Sequence, residues 1–539
     1  MSMPGSEQAM RAVPQSKLNE DVLLLILSVS PPKTVTSIMA TCRCLYHEGV
    51  KIILQDPIRL EGSETTILSL LLFLRAEDFS RCSYVRMLCV DMGPMPGDIA
   101  GILVDLLPRL TRLERLELAV EESIKSYPDL LPAFAALQTV KTLVLVNTGE
   151  RSLNLARTLQ SRLTSAYIYL PINHRTNPSL MANKGFHPIY VFQRSAYALT
   201  ALTFGLWCEV NPDMMYNPPT VIYPNLRTLT LVNNALPIPI PYMQAYPNLT
   251  HLHLSVDSEA PSYHDDLSLR PTIMFQRQQN LAWQDNQQGD AVPWERLGVF
   301  TGRVFDLWML GIAHHIPRLV LEDAPAARPN RALIEVLEYA CPEQLTISFR
   351  GVPLLEVMNS DFLEALCSTD MSRLKNLKLE LHLTVYDCEL DVGHALSIIG
   401  DALAPLELSH LEITVRDVGL YPDIQFRDES NPLAMAPTVT IVHLCSRTVP
   451  PAPGTRPHPV SHLLLSRAER TLDDFDVQVF ATRLVKSVPT LRSGSVAIQR
   501  PRRCGGWDRV ATVSPSKSQI GEPNAEQGRV TYKELRREA

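Results

Sequence analysis

The side chains that could do chemistry in this sequence stand apart from one another. Cys42 and Cys44 are two residues apart on an expected helix, so their thiols point in different directions. With no further ligand close in sequence, they fit a core or surface thiol pair better than a metal site. His314 and His315 are adjacent, so their imidazoles diverge, and no carboxylate pair is near in sequence. Asp473, Asp474 and Asp476 resemble a carboxylate cluster, but they also suit the negatively charged start of a helix over 470–488. Arg500, Arg502 and Arg503 form a short basic patch that fits a solvated tail better than a nucleic-acid site or a nuclear address. There is no Gly-x-Ser-x-Gly elbow, no phosphate-binding Gly-x-x-x-x-Gly-Lys loop, no His-Glu-x-x-His and no Cys-x-x-Cys. The expectation is a chain with no catalytic residues, no metal and no cofactor.

The composition agrees. Apolar residues make up 45% of the 539 and charged residues 20%, enough to bury a large core. A formal net charge of -7 argues against bulk binding of a polyanion, so no nucleic-acid partner is expected. Glycine, at 23, is outnumbered by proline, at 42, which leaves few of the tight turns that cradle phosphates. The cysteines follow no disulfide spacing, and the apolar run Val22–Val29 is preceded by Glu20 and Asp21 rather than by basic residues. Buried, reduced thiols and a cytoplasmic and/or nuclear location are expected. The most apolar stretch, Ile67 to Leu74, falls far short of the roughly 20 residues that cross a bilayer, so no membrane partner is expected.

The elements that must position any function repeat. PRLTRLERLEL at 108–118, VKTLVLV at 140–146, PNLRTLTLV at 224–232 and PNLTHLHL at 247–254 share one phrase. It returns as PRLVLE at 317–322, QLTISF at 344–349, LKNLKLEL at 374–381 and LSHLEITV at 408–415. The central leucines are Leu116, Leu143, Leu229, Leu252, Leu319, Leu345, Leu377 and Leu411, with adjacent spacings of about 23 to 34 residues and larger gaps elsewhere. Leu163–Leu170 and Leu199–Leu206 fill the first large gap. Helix-like segments alternate with these phrases, most clearly at Gly97–Leu107, Arg331–Ala340, Phe362–Cys367 and His394–Leu403. Strand then helix at such a period predicts an α/β chain: an irregular leucine-rich-repeat solenoid over 61–500 with a parallel sheet on its concave face. A doubly wound α/β domain is the alternative, although no glycine fingerprint follows any strand. Residues 257–293 and 418–460 break the rhythm and are expected as loop insertions, and 501–539 as a loosely ordered tail. Residues 1–16 read as a disordered N-terminus.

Residues 17–60 stand outside the repeat. Asn19 is a good helix cap, Glu20 and Asp21 suit a first turn, and Val22, Leu23, Ile26, Leu27 and Val29 follow at helical spacing. Pro31 and Pro32 end that helix, and a second carries Val35, Ile38, Met39, Cys42, Leu45 and Tyr46. Roughly thirty residues cannot cover both apolar stripes, so a further surface must.

Leu18-Asn19-Glu20-Asp21-Val22-Leu23-Leu24-Leu25-Ile26-Leu27, then Pro31-Pro32-Lys33-Thr34, then Ser37-Ile38-Met39-Ala40-Thr41-Cys42-Arg43-Cys44-Leu45-Tyr46-His47 resembles an F-box. The family pattern is Leu-Pro-x-Glu/Asp-apolar-Leu, an Ile-Leu pair, a proline corner and a Cys-Arg-x-apolar-aromatic phrase. Asn19 stands where the family usually has proline, and Ser30 where leucine precedes Pro31. F-box proteins with C-terminal leucine-rich units form large fungal families. The resemblance implies an N-terminal helical F-box hairpin that binds the Skp-type adaptor and, through it, the cullin scaffold of an SCF-type ubiquitin ligase, while the repeats bind an unidentified target protein. Leu18, Val22, Leu23, Ile26, Leu27, Pro32, Val35, Ile38 and Leu45 are the expected adaptor contacts, of which about half are expected to touch the adaptor. For the target, the solvent-facing strand positions Arg115, Glu117, Arg227, Thr228, His251, His253, Lys378 and Glu380 are candidates by geometry. Two other readings stay open: a leucine-rich interaction scaffold capped by the hairpin, with no ligase role, and an enzyme whose site lies in the 257–293 and 418–460 insertions.

Overall fold

A computed structural model describes residues 19–170, 184–205, 220–232, 239–255, 270–286, 294–322, 331–349, 354, 357, 361–366, 369–417, 466–499, 507–514 and 529–536. The chain forms two compact units, Met1–His174 with Asn183–Leu199, and Arg175–Ala182 with Thr200–Ala539. The division falls near residue 200, whereas composition places one near residue 60.

The first unit opens with α1 (Glu20–Val29), α2 (Pro32–Met39) and α3 (Arg43–Ile53). Asn19 caps α1 by accepting from the Asp21 N–H at 3.3 Å. Pro32 opens α2 at the first turn, where its missing N–H costs nothing. Three helices occupy the span expected to hold two. Cys42 is extended (φ -157°, ψ 162°) and caps α3, which breaks the expected second helix. Then β1 (Ile58–Leu60), α4 (Glu64–Arg75), β2 (Met87–Asp91), α5 (Gly97–Leu106), β3 (Arg115–Ala119), α6 (Glu121–Ser126), α7 (Leu130–Ala135), β4 (Thr142–Leu145), α8 (Glu150–Thr158), β5 (Ser165–Tyr169) and α9 (Pro188–Val191) follow. Strands β1 to β5 are parallel and adjacent in chain order. Their register puts Leu88, Leu116, Leu143 and Ala166 in one buried row and Val90, Leu118, Leu145 and Ile168 in the next. Helices pack α4 on α5, α5 on α7 and α7 on α8 as a layer of their own.

The second unit runs β6 (Ala201–Gly205), β7 (Thr228–Val232), α10 (Pro239–Ala245), β8 (His251–Ser255), α11 (Arg270–Asn286), β9 (Val299–Gly302), α12 (Val304–Leu310), β10 (Arg318–Leu321), α13 (Arg331–Ala340), β11 (Gln344–Phe349) and α14 (Asp361–Leu366). It continues with β12 (Asn376–Leu383), α15 (Val392–Leu403), β13 (His410–Asp417), α16 (Arg467–Asp474), α17 (Val477–Ser487), β14 (Ser493–Gln499), β15 (Trp507–Ser514) and β16 (Arg529–Arg536). The chain is α/β: β6 to β14 are parallel neighbours in chain order, and β15 and β16 close the sheet antiparallel. Within each unit the order never reverses, as it would in a doubly wound sheet. Leu202, Leu229, Leu252, Phe300, Leu319, Leu345, Leu377 and Leu411 form a single row, and all are at most 2% exposed.

Several expectations need correction. The 257–293 stretch is not all loop: its middle is α11, a 17-residue helix. The helix expected over 470–488 is two, parted at Phe475, so Asp473 and Asp474 end α16 rather than start a helix, while Asp476 caps α17 by accepting from the Val479 N–H at 2.9 Å. The 501–539 tail carries β15 and β16, where Val510, Thr512, Val513, Val530, Thr531 and Tyr532 are strand-favouring residues. Residues 418–460, Arg500, Arg502 and Arg503 lie outside the described residues. Among those described, no helix is long and apolar enough to cross a membrane.

Buried polar contacts anchor α11. Arg277 donates to the Trp308 carbonyl at 2.5 Å and to Glu335 at 2.6 Å, and its guanidinium lies 4.3 Å from the Trp308 ring. Trp308 donates to the same Glu335 oxygen at 2.8 Å. Arg277→Ala leaves that carboxylate the Trp308 N–H but no countercharge in a partly buried place, and a loss of about 1–3 kcal/mol in a urea melt of the full chain is expected. An unchanged midpoint would show that α11 is held without Arg277, by its apolar side and the Asn280 and Gln284 bonds to the Met309 and Leu310 carbonyls.

Candidate functional site

The N-terminal hairpin builds its core from Leu27, Val35, Met39, Leu45 and Val50, each under 9% exposed. Met39 lies over Gly49, where a Cβ would collide with its side chain, so α2 and α3 approach closely there. The hairpin is tied down through α3. Arg81 donates to the Tyr46 hydroxyl at 2.7 Å, to Glu77 at 2.8 Å and to the Phe73 carbonyl at 2.8 Å, and it stacks 4.3 Å from the Phe73 ring.

That anchoring leaves one face of α1 in solvent. Val22, Leu25, Ile26 and Val29 are 42, 63, 41 and 76% exposed, and they stand at i, i+3, i+4 and i+7, one stripe of a helix. Pro32 is exposed beside them in sequence, and Leu23 and Ile38 are half-buried. Of the expected adaptor contacts, then, Val22, Ile26 and Pro32 are fully available and Leu23 and Ile38 partly so. Leu27, Val35 and Leu45 belong to the hairpin's own core, and Leu18 lies outside the described residues. Leu25 and Val29 complete the stripe. They were missed as contacts, although counting three and seven positions on from Val22 reaches Leu25 and Val29.

The other candidates, Arg227 apart, stand at strand positions that are not buried. In the first unit Arg115 and Glu117 pair with each other at 2.6 Å. In the second, Lys378 sits 3.1 Å from Glu380 and 3.9 Å from Glu412, so its charge is answered within the sheet. Burial pushes the Glu380 carboxyl up, but Lys378 outweighs it and holds the group below its usual range. His253 is 3.6 Å from Glu322, and His251 shares a hydrogen bond with Thr250 at 2.9 Å. Thr228 begins β7 half-exposed. Arg227 is not on a strand: it precedes β7 and donates to the carbonyls of Asn248 at 2.8 Å and Pro224 at 3.3 Å.

Beside Lys378, His410 bridges Ser493 Oγ (2.9 Å, through Nδ1) and Glu412 (3.2 Å, through Nε2) in a depression of about 540 Å³. This trio is the nearest approach to acyl-transfer chemistry among the described residues. The backbone N–H groups of Ser409 and His410 donate to the Lys375 carbonyl, and those of Arg492 and Ser493 to the Ser409 carbonyl, so none of the four is left to hold an oxyanion. A fluorophosphonate probe is therefore expected to leave Ser493 unmodified by mass spectrometry; labelling that Glu412→Gln removes would overturn this.

No protein-family model and no curated protein matches this chain. The sequence-selected thiols and imidazoles form no metal set: among the described residues no group of three His, Cys, Asp or Glu side chains could hold an ion. His315 turns to the Ala340 carbonyl at 3.0 Å, while burial lowers the pKa of His314. Cys42 and Cys44 are exposed, against the expectation of buried thiols, whereas Cys82 is buried and its thiol is pushed up to about 11.

Proposed function

We propose that this chain is the substrate-recognition subunit of an SCF-type cullin-RING ubiquitin ligase. In this reading α1 to α3 are an F-box-like hairpin that binds the Skp-type adaptor. The strand–helix arrays are a leucine-rich-repeat-like solenoid that binds the target protein. The observation that carries the proposal is the exposed stripe of Val22, Leu25, Ile26 and Val29 on a helix otherwise anchored to its own chain. A stripe of that spacing suits insertion into an apolar groove of a second polypeptide. The chain itself performs no bond-breaking step. It raises the effective concentration of a target lysine beside a ubiquitin carrier held elsewhere in the complex.

One observation favours a scaffold with no ligase role. The Arg81 contacts fasten α3 to the strand–helix body, as a terminal cap would be fastened. The two readings part on one experiment, co-purification of the full chain with a Skp-type adaptor. The ligase reading expects a stoichiometric complex that brings the cullin with it. No capture by the intact chain would leave the scaffold.

A further inference from the structure

We propose that a basic depression on the first unit binds an aspartate- and glutamate-rich segment of a protein partner. The depression measures about 670 Å³ and is lined by Arg86, Arg112, Lys141 and Arg162 against one carboxylate, Glu114. Four cations and one anion leave a local formal charge of about +3 in a chain whose net charge is -7.

The parallel register builds this arrangement. Met87, Arg115 and Thr142 are lateral partners, so the residues immediately before them, Arg86, Glu114 and Lys141, stand side by side at the N-terminal edge of β2, β3 and β4. Thr142 pairs in turn with Ser165, so Arg112, Thr139 and Arg162 occupy equivalent places three residues before β3, β4 and β5. Two rows of side chains thus meet at one edge of the sheet.

The first row already holds a carboxylate. Glu114 Oε1 accepts from Arg86 at 3.1 Å and from Lys141 at 3.3 Å. In the second row Arg112 and Arg162 are exposed, and neither makes a hydrogen bond or ion pair among the described residues. They stand two strands apart, roughly 10 Å at the usual strand spacing. Acidic side chains two or three residues apart on an extended segment span roughly 7–10 Å, so one segment can place a carboxylate on each guanidinium. Glu114 between Arg86 and Lys141 is the internal example of that contact. The other lining residues, Thr111, Gln138, Thr139, Val140 and Gln160, include no aromatic ring on which a base could stack, which favours a peptide over single-stranded nucleic acid. The surface is independent of the adaptor proposal, because none of its residues lies on α1 to α3.

The test titrates the full chain into a fluorescein-labelled decapeptide of alternating glutamate and glycine, with the alternating glutamine peptide, an alternating phosphoserine peptide and a ten-nucleotide single-stranded RNA in parallel. Expected is saturable binding of the glutamate peptide, weakened severalfold between 50 and 200 mM salt. Arg112→Glu with Arg162→Glu should weaken it at least tenfold with the melting temperature unchanged, and Arg112→Gln with Arg162→Gln less. The proposal is overturned if the glutamate peptide does not bind, if the glutamine peptide binds equally, if the charge-reversed variant binds like the native chain, or if the RNA or the phosphoserine peptide binds more tightly.

Discussion

Leu25→Lys combined with Val29→Lys should abolish capture of a Skp-type adaptor while leaving the melting temperature of the chain where it was. Both side chains are exposed, at 63 and 76%, so removing them opens no cavity. Lysine is a good helix former, and α1 has no basic residue in its last turn, where positive charge suits the helix dipole. The helix therefore keeps its stability, while the docking face loses two apolar anchors and gains two ammonium groups that a groove would have to desolvate. At about 1–3 kcal/mol for each lost anchor, the combined loss is about 4 kcal/mol, or roughly a thousandfold in affinity. Leu27→Ala is the contrasting change on the same helix. Leu27 is fully buried, so it should cost about 2–5 kcal/mol of local stability and disturb binding only by loosening the hairpin. Adaptor binding that survives the double lysine change would remove the stripe as the docking face.

How far such a stripe can be read in advance depends on which neighbour covers each side chain. Spacing alone identifies α1 as apolar, but it does not separate Leu27, which faces the hairpin core, from Ile26, which faces solvent. That division is set by α3, on which α1 packs, and α3 is held in turn through Tyr46 by Arg81, distant in sequence. The repeat was legible for the opposite reason. Each central leucine from Leu229 to Leu377 meets a leucine, or in one case Phe300, on the next strand, so the same local demand recurs from unit to unit. Strands were missed where that demand is met by another residue. In β9 the row is filled by Phe300, in β14 by Gly494, and β2 lacks the introducing Pro-x-Leu phrase. Helix α11 was read as loop because its apolar positions are few. It is held instead by Arg277, and only the fold reveals the partners of that side chain.

Gly494→Leu restores the row residue used on neighbouring strands, yet it should be strongly destabilising. Gly494 pairs with Leu411 across β13 and β14, and a Cβ built there runs into the Leu411 carbonyl oxygen, with its carbonyl carbon and nitrogen close behind at 3.0 and 3.2 Å. These are backbone atoms, fixed by the ladder on both sides, so no side-chain rotation relieves the contact. The strands must part. Overpacking of this kind costs about 1–3 kcal/mol, and each ladder hydrogen bond lost adds about 1. A total of about 3–5 kcal/mol is expected, read as an earlier urea transition of the second unit. Gly494→Ala meets the same first atom and should recover little of that loss. Leu411→Ala leaves the backbone clear and costs only its buried side chain, about 2–4 kcal/mol. The decisive comparison is between Gly494→Ala and the native chain, because alanine adds only the methyl group that the close approach forbids. If that variant melts like the native protein, the row ends at β14 by chance rather than because two strands come too near for any side chain.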